Sequence, residues 1–395
     1  MGKWLAPLVG PVLAAAVAAT PGAGTAAEVC VPPGQWLDPA RNSPIGHADL
    51  IAGMAKRPVV LLGEVHTSAE HHRWQLHTIA ALHGRNPNMV LGFESFPRSV
   101  QPALDAWVGG RLSEKRFLEE SRWDEVWRFD AGLYMGLFQF ARLHRIPMVA
   151  LNVDDALIKR IRKDGWPAVP VDARQGVDDP APATDAYLDF LARVYRDHDD
   201  AATEMPDRDD PAFRRFVQAQ ITWDRAMAQA LAAALRGGGR PLVVGIVGLG
   251  HTEYGWGIPR QLADLGVTGT AVLVPWDAGR ACSELARPGG PAVADAVFGL
   301  AAHADEAAPQ RPKLGVLIGD GDGGVRVKKV IEGSVAEAAG LAPGDLIREA
   351  AGVAVSKTSD LIAIVRRQAP GTWLPLRVRR GAETVDIIAR FPPKP

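Results

Sequence analysis

A chain of 395 residues with 47% hydrophobic and 23% charged content has room for two domains, each with its own core. Its 44 basic and 45 acidic side chains leave a formal net charge of −1. Bulk charge therefore gives no reason to expect nucleic acid or an anionic membrane as a partner.

Residues 1–27 read as a secretory signal peptide: Lys3 precedes an apolar stretch, and Thr25-Ala26-Ala27 suits cleavage. The protein is thus expected to be exported, periplasmic or secreted. The only cysteines, Cys30 and Cys282, can close one disulfide in an oxidising compartment, tying the mature amino terminus to the end of the first domain. No later segment reaches the roughly 20 apolar residues of a membrane helix, so no transmembrane segment is expected after cleavage.

Apolar runs then alternate with helical patterns. Residues 57–64, 88–95, 146–153, 240–250 and 269–276 are short, rich in Val and Leu and continuously apolar, as parallel strands covered on both faces should be. Amphipathic helices are expected at 68–83 and 132–144. The fold class is α/β with a largely parallel sheet over about 45–300. From 155 to 236 no good strand occurs; acidic, proline-punctuated turns lead into a long helix starting near Pro211, which suits a helical insert covering one end of the sheet. Its aspartates are expected to be solvated caps and turns. A boundary rich in Pro, Gly and Ala falls at about 285–312; within it "ADAVFGLA" (294–301) suits one last strand and 301–311 a linker.

Polar residues gather at the ends of these strands. Glu64 and His66 close the first, Glu94 the second, Asn152 the third and His251 the fourth. Open α/β sheets bind ligands outside the carboxyl ends of their strands. Singly, each residue would be an ordinary hydrogen-bonded strand end; together they point to a site. Paired Glu and His suit acid–base chemistry or a metal, with His66, Glu94 and His251 as metal candidates. His72 and Gln75, three apart, share one helix face and join the set. His71, His77 and His83 fall at other angles and are expected at the surface or in packing. No H-E-x-x-H, G-x-S-x-G or glycine-rich phosphate loop occurs.

"LLGEVHTSAEHHRWQ", "GFESFPR", "LYMGLFQFARLHRIPMVALN", "FVQAQITWDRAMA" and "VGLGHTEYGWGIPRQL" together resemble, in order and spacing, the ChaN family, part of a wider group with the Tiki and TraB proteins that is similar to the erythromycin esterases. The resemblance implies binding of haem or a related tetrapyrrole by a homodimer, in iron-regulated haem uptake. It also implies a tyrosine iron ligand, for which Tyr134 and Tyr254 are the candidates. Trp123, Trp127 and Phe129 are expected to be core. The Tiki side of the resemblance implies instead a metal-dependent hydrolase using Glu64, His66, Glu94 and His251. Whether the protein is an enzyme stays open at this point.

Residues 312–393, with "GSVAEAAGLAPGDLI", resemble a bacterial-type PDZ domain. That implies capture of a protein carboxyl terminus as an added strand, with Leu314, Gly315, Val316 and Leu317 forming the carboxylate loop and Leu361 and Val365 lining a pocket for the terminal side chain. A third reading is a scaffold led by this module, with an inactive first domain. "GDGDGG" (319–324) is expected to be a hairpin loop.

Overall fold

The structure, a computed structural model, describes residues 29–197, 204–237, 239–287, 289–301 and 313–393. The expected signal peptide and nearly all of the expected linker lie outside these residues.

The first sheet is built from β1 (Trp36–Asp38), β2 (Ser43–Ile45), β3 (Val59–Glu64), β4 (Met89–Pro97), β5 (Met148–Asn152), β6 (Leu242–Gly248), β7 (Ala271–Trp276) and β8 (Ala296–Gly299). Their order is β2-β1-β8-β7-β3-β6-β4-β5. From β8 to β5 every pairing is parallel, while β1 runs antiparallel to both β8 and β2. All five expected apolar runs are strands, and "ADAVFGLA" supplies β8. The hairpin β1–β2 has no sequence signal, because its strands are three residues long and β2 contains Pro44.

Continuous burial explains the continuous apolar pattern. Along β3, Val60 and Leu62 point into one core with Trp74, Tyr134 and Phe138. Val59 and Leu61 point into a second core with Met227 and Leu231. Both faces of the strand are therefore covered, and each fully buried Val or Leu contributes about 1.5–3 kcal/mol.

The first core is covered by the histidine-rich helix Ala69–His83, whose N-cap Ser68 accepts from the His71 N–H, and by helix Ala131–His144. The second is covered by the long helix Pro211–Leu235, with Pro211 at its first turn and Asp210 as its N-cap. The insert also holds helices Asp155–Asp164 and Asp185–Asp197. No helix among the described residues is long and apolar enough to cross a membrane.

The second sheet consists of β9 (Val316–Gly321), β10 (Gly324–Val330), β11 (Leu346–Ala350), β12 (Val353–Ala354), β13 (Trp373–Arg380) and β14 (Glu383–Arg390). It is antiparallel in the order β14-β13-β11-β10-β9, with β12 paired to β11. Gly321 pairs with Gly324, so "GDGDGG" closes a hairpin, with Gly323 at φ +71°. Helices Val335–Ala338 and Thr358–Arg366 complete this unit around a core of its own.

Cys30 and Cys282 are joined across 252 residues with Cα atoms 5.6 Å apart. The bond fastens the segment leading into β1 to the loop after β7. Reduction, or Cys282→Ser, is expected to lower stability by about 2–4 kcal/mol. Chemical denaturation with and without reductant measures this; an unchanged midpoint would mean that strand pairing alone holds the hairpin.

Candidate functional site

The parallel register brings the carboxyl ends of β3, β4 and β6 to one edge, with Glu64 opposite Gly248 and Phe93 opposite Ile246. Two hydrogen-bonded arms of acidic, phenolic and imidazole groups meet there.

In the first arm, Glu64 Oε1 accepts from the Tyr134 hydroxyl at 2.5 Å and lies 2.9 Å from His66 Nδ1. His72 Nδ1 stands 3.2 Å from both Glu64 Oε2 and Gln75 Oε1, while its Nε2 lies 3.2 Å from the His66 carbonyl. Gln75 donates to the Leu62 carbonyl at 3.1 Å. In the second arm, Glu94 Oε2 accepts from the Gly248 N–H at 2.6 Å, and Glu94 Oε1 lies 3.4 Å from His251 Nε2. His251 Nδ1 sits 2.6 Å from Asp224 Oδ1, and Asp224 Oδ2 accepts from the Tyr187 hydroxyl at 2.8 Å. The arms face each other across 3.9 Å, from His66 Nε2 to Glu94 Oε1. A Cβ on Gly248 would lie 3.0 Å from His66 Cε1, so glycine there leaves room for the imidazole.

Exposure is graded along this chain. The side chains of Glu64, Glu94, Asp224 and His251 are 9% exposed or less, whereas that of His66 is 28% exposed. His66 is flanked by Trp127, ring centres 4.7 Å apart, and by Phe129 at 5.4 Å. Trp123 is core, as expected, but Trp127 and Phe129 are only partly buried. Two surface clefts, of 740 and 380 Å³, are lined by other residues, such as Arg98 and Gln229 in one and Trp256 and Arg260 in the other.

Proximity sets the charges. Burial alone would raise the Glu64 carboxyl, yet hydrogen bonds from His66 and His72, with their charge, bring it down to about 2. Burial likewise works against Glu94 ionisation, but His251, His66 and the Gly248 N–H hold its pKa below the usual range. For His251, burial opposes the charge and the carboxylates of Glu94 and Asp224 outweigh it, pushing the imidazole up to about 10. His66 and His72 are raised in the same way, against burial, by Glu64, with Glu94 also acting on His66. Asp224, fully buried, is pushed up by burial that its partners only partly offset.

The structure brings together Glu64, His66, His72, Gln75, Glu94 and His251. Asn152 takes a supporting place: its amide donates to the Glu94 carbonyl at 3.1 Å and its oxygen accepts from Val153 N–H and Trp223 Nε1–H. His71 corrects the expectation of a surface or packing role. It is buried, its Nδ1 accepts from the Val65 N–H at 2.9 Å, and its Nε2 faces Asp277 at 3.1 Å, so it fixes the turn that presents His66.

Sequence reasoning missed Asp224, Gln220 and Tyr187. Gln220 lies 3.2 Å from His251 Nδ1. Asp224 departs from the expectation of solvated aspartates because it shares a helix face with buried Val217, Ala228 and Leu231. The heptad spacing of that face was the available signal.

Neither tyrosine presents a free hydroxyl. Tyr134 is 1% exposed and donates to Glu64; burial first, then the Glu64 charge, push its pKa up, which opposes a tyrosinate ligand. Tyr254 lies in the second core, stacked on Trp256, and donates to the Glu284 carbonyl at 2.8 Å. The divalent metal expected at His66, Glu94 and His251 finds no support: among the described residues no group of three or more His, Cys, Asp or Glu could hold a metal ion. Their facing nitrogens and oxygens are set to share protons instead.

In the second unit, Leu314, Leu361 and Val365 are buried in one core cluster, and Val316 packs against it. Leu361 and Val365 thus serve the core rather than line an open pocket. Leu317 is 55% exposed on β9, the edge strand. Gly315 has φ +82°, and a Cβ there would fall 2.2 Å from Ser334 Cβ, so this turn requires glycine.

An open α/β sheet with a carboxylate–imidazole site at its strand ends, followed by a small antiparallel β domain with two short helices, defines the class. The chain belongs to the family described as haem-binding uptake, Tiki superfamily, ChaN, whose model matches residues 50–262, and a PDZ-domain model matches residues 326–380. A structure of ChaN of Campylobacter jejuni, described as binding haem cofacially, is 20% identical, with 67% of this chain and 95% of that chain covered and a TM-score of 0.51. At that identity the likeness shows the fold. The PDZ domain of HtrA3 bound to a phage-derived ligand is 23% identical over 20% of this chain and 82% of that chain, TM-score 0.18. A serine endoprotease from Yersinia pestis is 22% identical over 22% of this chain and 30% of that chain, TM-score 0.19. No curated protein matches the chain.

These charges fix a pH dependence. The raised His251 pKa contributes stability that is complete below its ordinary value of 6.5 and is lost as pH rises toward about 10. The depressed Glu64 pKa contributes stability that is complete above 4.5 and is lost as pH falls toward about 2. Wild type should therefore lose stability between neutral pH and about pH 10 more steeply than His251→Gln. Urea denaturation followed by tryptophan fluorescence reads this, and parallel slopes would show that His251 is neutral in the folded protein.

Proposed function

We propose that the protein is an exported haem-binding protein of haem-iron acquisition, whose second domain captures the carboxyl terminus of a partner protein. The family match supports the haem reading, and one observation carries it to a residue: the partly exposed imidazole of His66, its Nδ1 paired with Glu64 and its ring flanked by Trp127 and Phe129. A histidine whose Nδ1–H is held by a carboxylate presents its Nε2 outward, and once that nitrogen gives up its proton to solvent its lone pair can hold haem iron as axial histidines do. The two aromatic rings offer apolar surface to a porphyrin. The residues fit haem at His66 better than at Tyr134 or Tyr254, whose hydroxyls are already donated.

The His66 ring is partly exposed beside Trp127 and Phe129, which suits a haem shared with a second copy of the chain. The cofacial description of the Campylobacter jejuni relative supports the same arrangement. Export is supported by the leader-like sequence and by a disulfide, which persists in an oxidising compartment. We further propose domain limits of 45–300 and 312–393, joined by a linker at 301–311. The second unit supports peptide capture because β9 ends its sheet, beside helix Thr358–Arg366, and can accept an added strand.

Hemin titrated into the purified protein should give a Soret band distinct from free hemin. His66→Ala should abolish it, while Tyr134→Phe should keep it; loss in Tyr134→Phe with retention in His66→Ala would return the iron to tyrosine. A free hemin spectrum with wild type at micromolar protein would end the haem reading.

Peptides with a free apolar carboxyl terminus should bind with affinity of order micromolar, about −8 kcal/mol. Amidating the terminus should weaken binding, because the loop N–H groups lose the charge they receive. Gly315→Ala should reduce both binding and thermal stability, given its contact with Ser334. Equal binding of free and amidated peptides would rule out capture of this kind.

A further inference from the structure

We propose that His83 and His144 form a site for a borderline divalent transition-metal ion of the Cu(II), Ni(II) or Zn(II) type, separate from the carboxylate–imidazole chain. Each histidine is the last residue of its helix, Ala69–His83 and Ala131–His144, and their ring centres lie 4.7 Å apart. Among the described residues neither ring has a hydrogen-bond partner, so each keeps an imidazole lone pair for a ligand. Phe140 packs against both, at 5.7 Å from His83 and 4.4 Å from His144, and restrains their rotation.

The helix ends supply the second argument. The carboxyl end of a helix carries partial negative charge from its unpaired carbonyls. Two such ends meet at this pair and favour a cation between them. The arginines nearby are turned elsewhere: Arg142 lies over the Trp107 ring and donates to the Leu112 carbonyl, and Arg145 donates to the Val108 carbonyl.

The other surface pair makes the contrast. His47 and His77 lie 5.5 Å apart, but His47 Nδ1 already accepts from the Trp36 indole N–H at 3.1 Å. Two nitrogen ligands suit copper, nickel and zinc, with water completing the shell. A bound ion would link the two helices that carry His72 and Tyr134, and would stabilise the wall behind Glu64 by mass action.

Cu(II) titrated into the full chain, followed by calorimetry and electron paramagnetic resonance, tests the site. The expected result is one ion per chain with nitrogen coupling from two imidazoles. His83→Ala and His144→Ala should each weaken it by roughly tenfold or more, the size of effect that loss of a metal-supporting group has. His77→Ala should bind as wild type does. No binding, unchanged affinity in either of the first two variants, or loss confined to His66→Ala would overturn the proposal.

Discussion

Three carboxylates, Glu64, Glu94 and Asp224, are buried where β3, β4 and the long helix converge. A buried carboxylate without a partner costs several kcal/mol, so this edge of the sheet is stable only if imidazoles and hydroxyls come with it. His66, His72 and His251 supply the charge, and Tyr134 and Tyr187 supply hydroxyl donors. Glu64, His66 and His72 come from one strand–helix turn, while Glu94, Tyr134, Tyr187, Asp224 and His251 come from separate elements. Pairing therefore fixes how both helical layers sit on the sheet, as well as what the site can do.

The chain is complete except at one place. Between His66 Nε2 and Glu94 Oε1 the separation is 3.9 Å, too long for a hydrogen bond, and there the chain also reaches the surface. Gly248 sits at that point, donating its N–H to Glu94 while leaving room for the His66 ring. A binding group has to be both oriented and unsatisfied. His66 is oriented by Glu64 and by the turn that His71 holds, and among the described residues its outer nitrogen has no hydrogen-bond partner.

The five central strands were legible because burial on both faces demands an unbroken apolar run, and little else in a soluble chain does. The site was legible to the extent that it lies on those strands: Glu64, His66, Glu94 and His251 are all strand-end residues. Where contacts depend on register between helices, the sequence is silent. His71 and His72 are neighbours with different tasks, one holding a turn and the other facing Glu64, and composition cannot separate them. Leu361 and Val365 sit on the expected helix but turn into the core, a half-turn distinction that motif likeness does not carry. The strands β1 and β2 are ordered by a covalent bond and by pairing to β8, neither of which leaves a local pattern.

Asp224 changes what the helical insert is for. An insert of acidic turns and one long helix suits a cover over the sheet's end, and most of its aspartates do cap or solvate. Yet the long helix buries Asp224 against His251, and without it the imidazolium would face Glu94 alone. Glu94 is the larger support of the His251 charge, and Asp224 adds to it from the opposite side of the ring. That charge in turn keeps Glu94 ionised opposite His66. The insert thus acts on the open end of the site through two intermediaries, and it belongs to the site's electrostatics as much as the strands that display its surface residue.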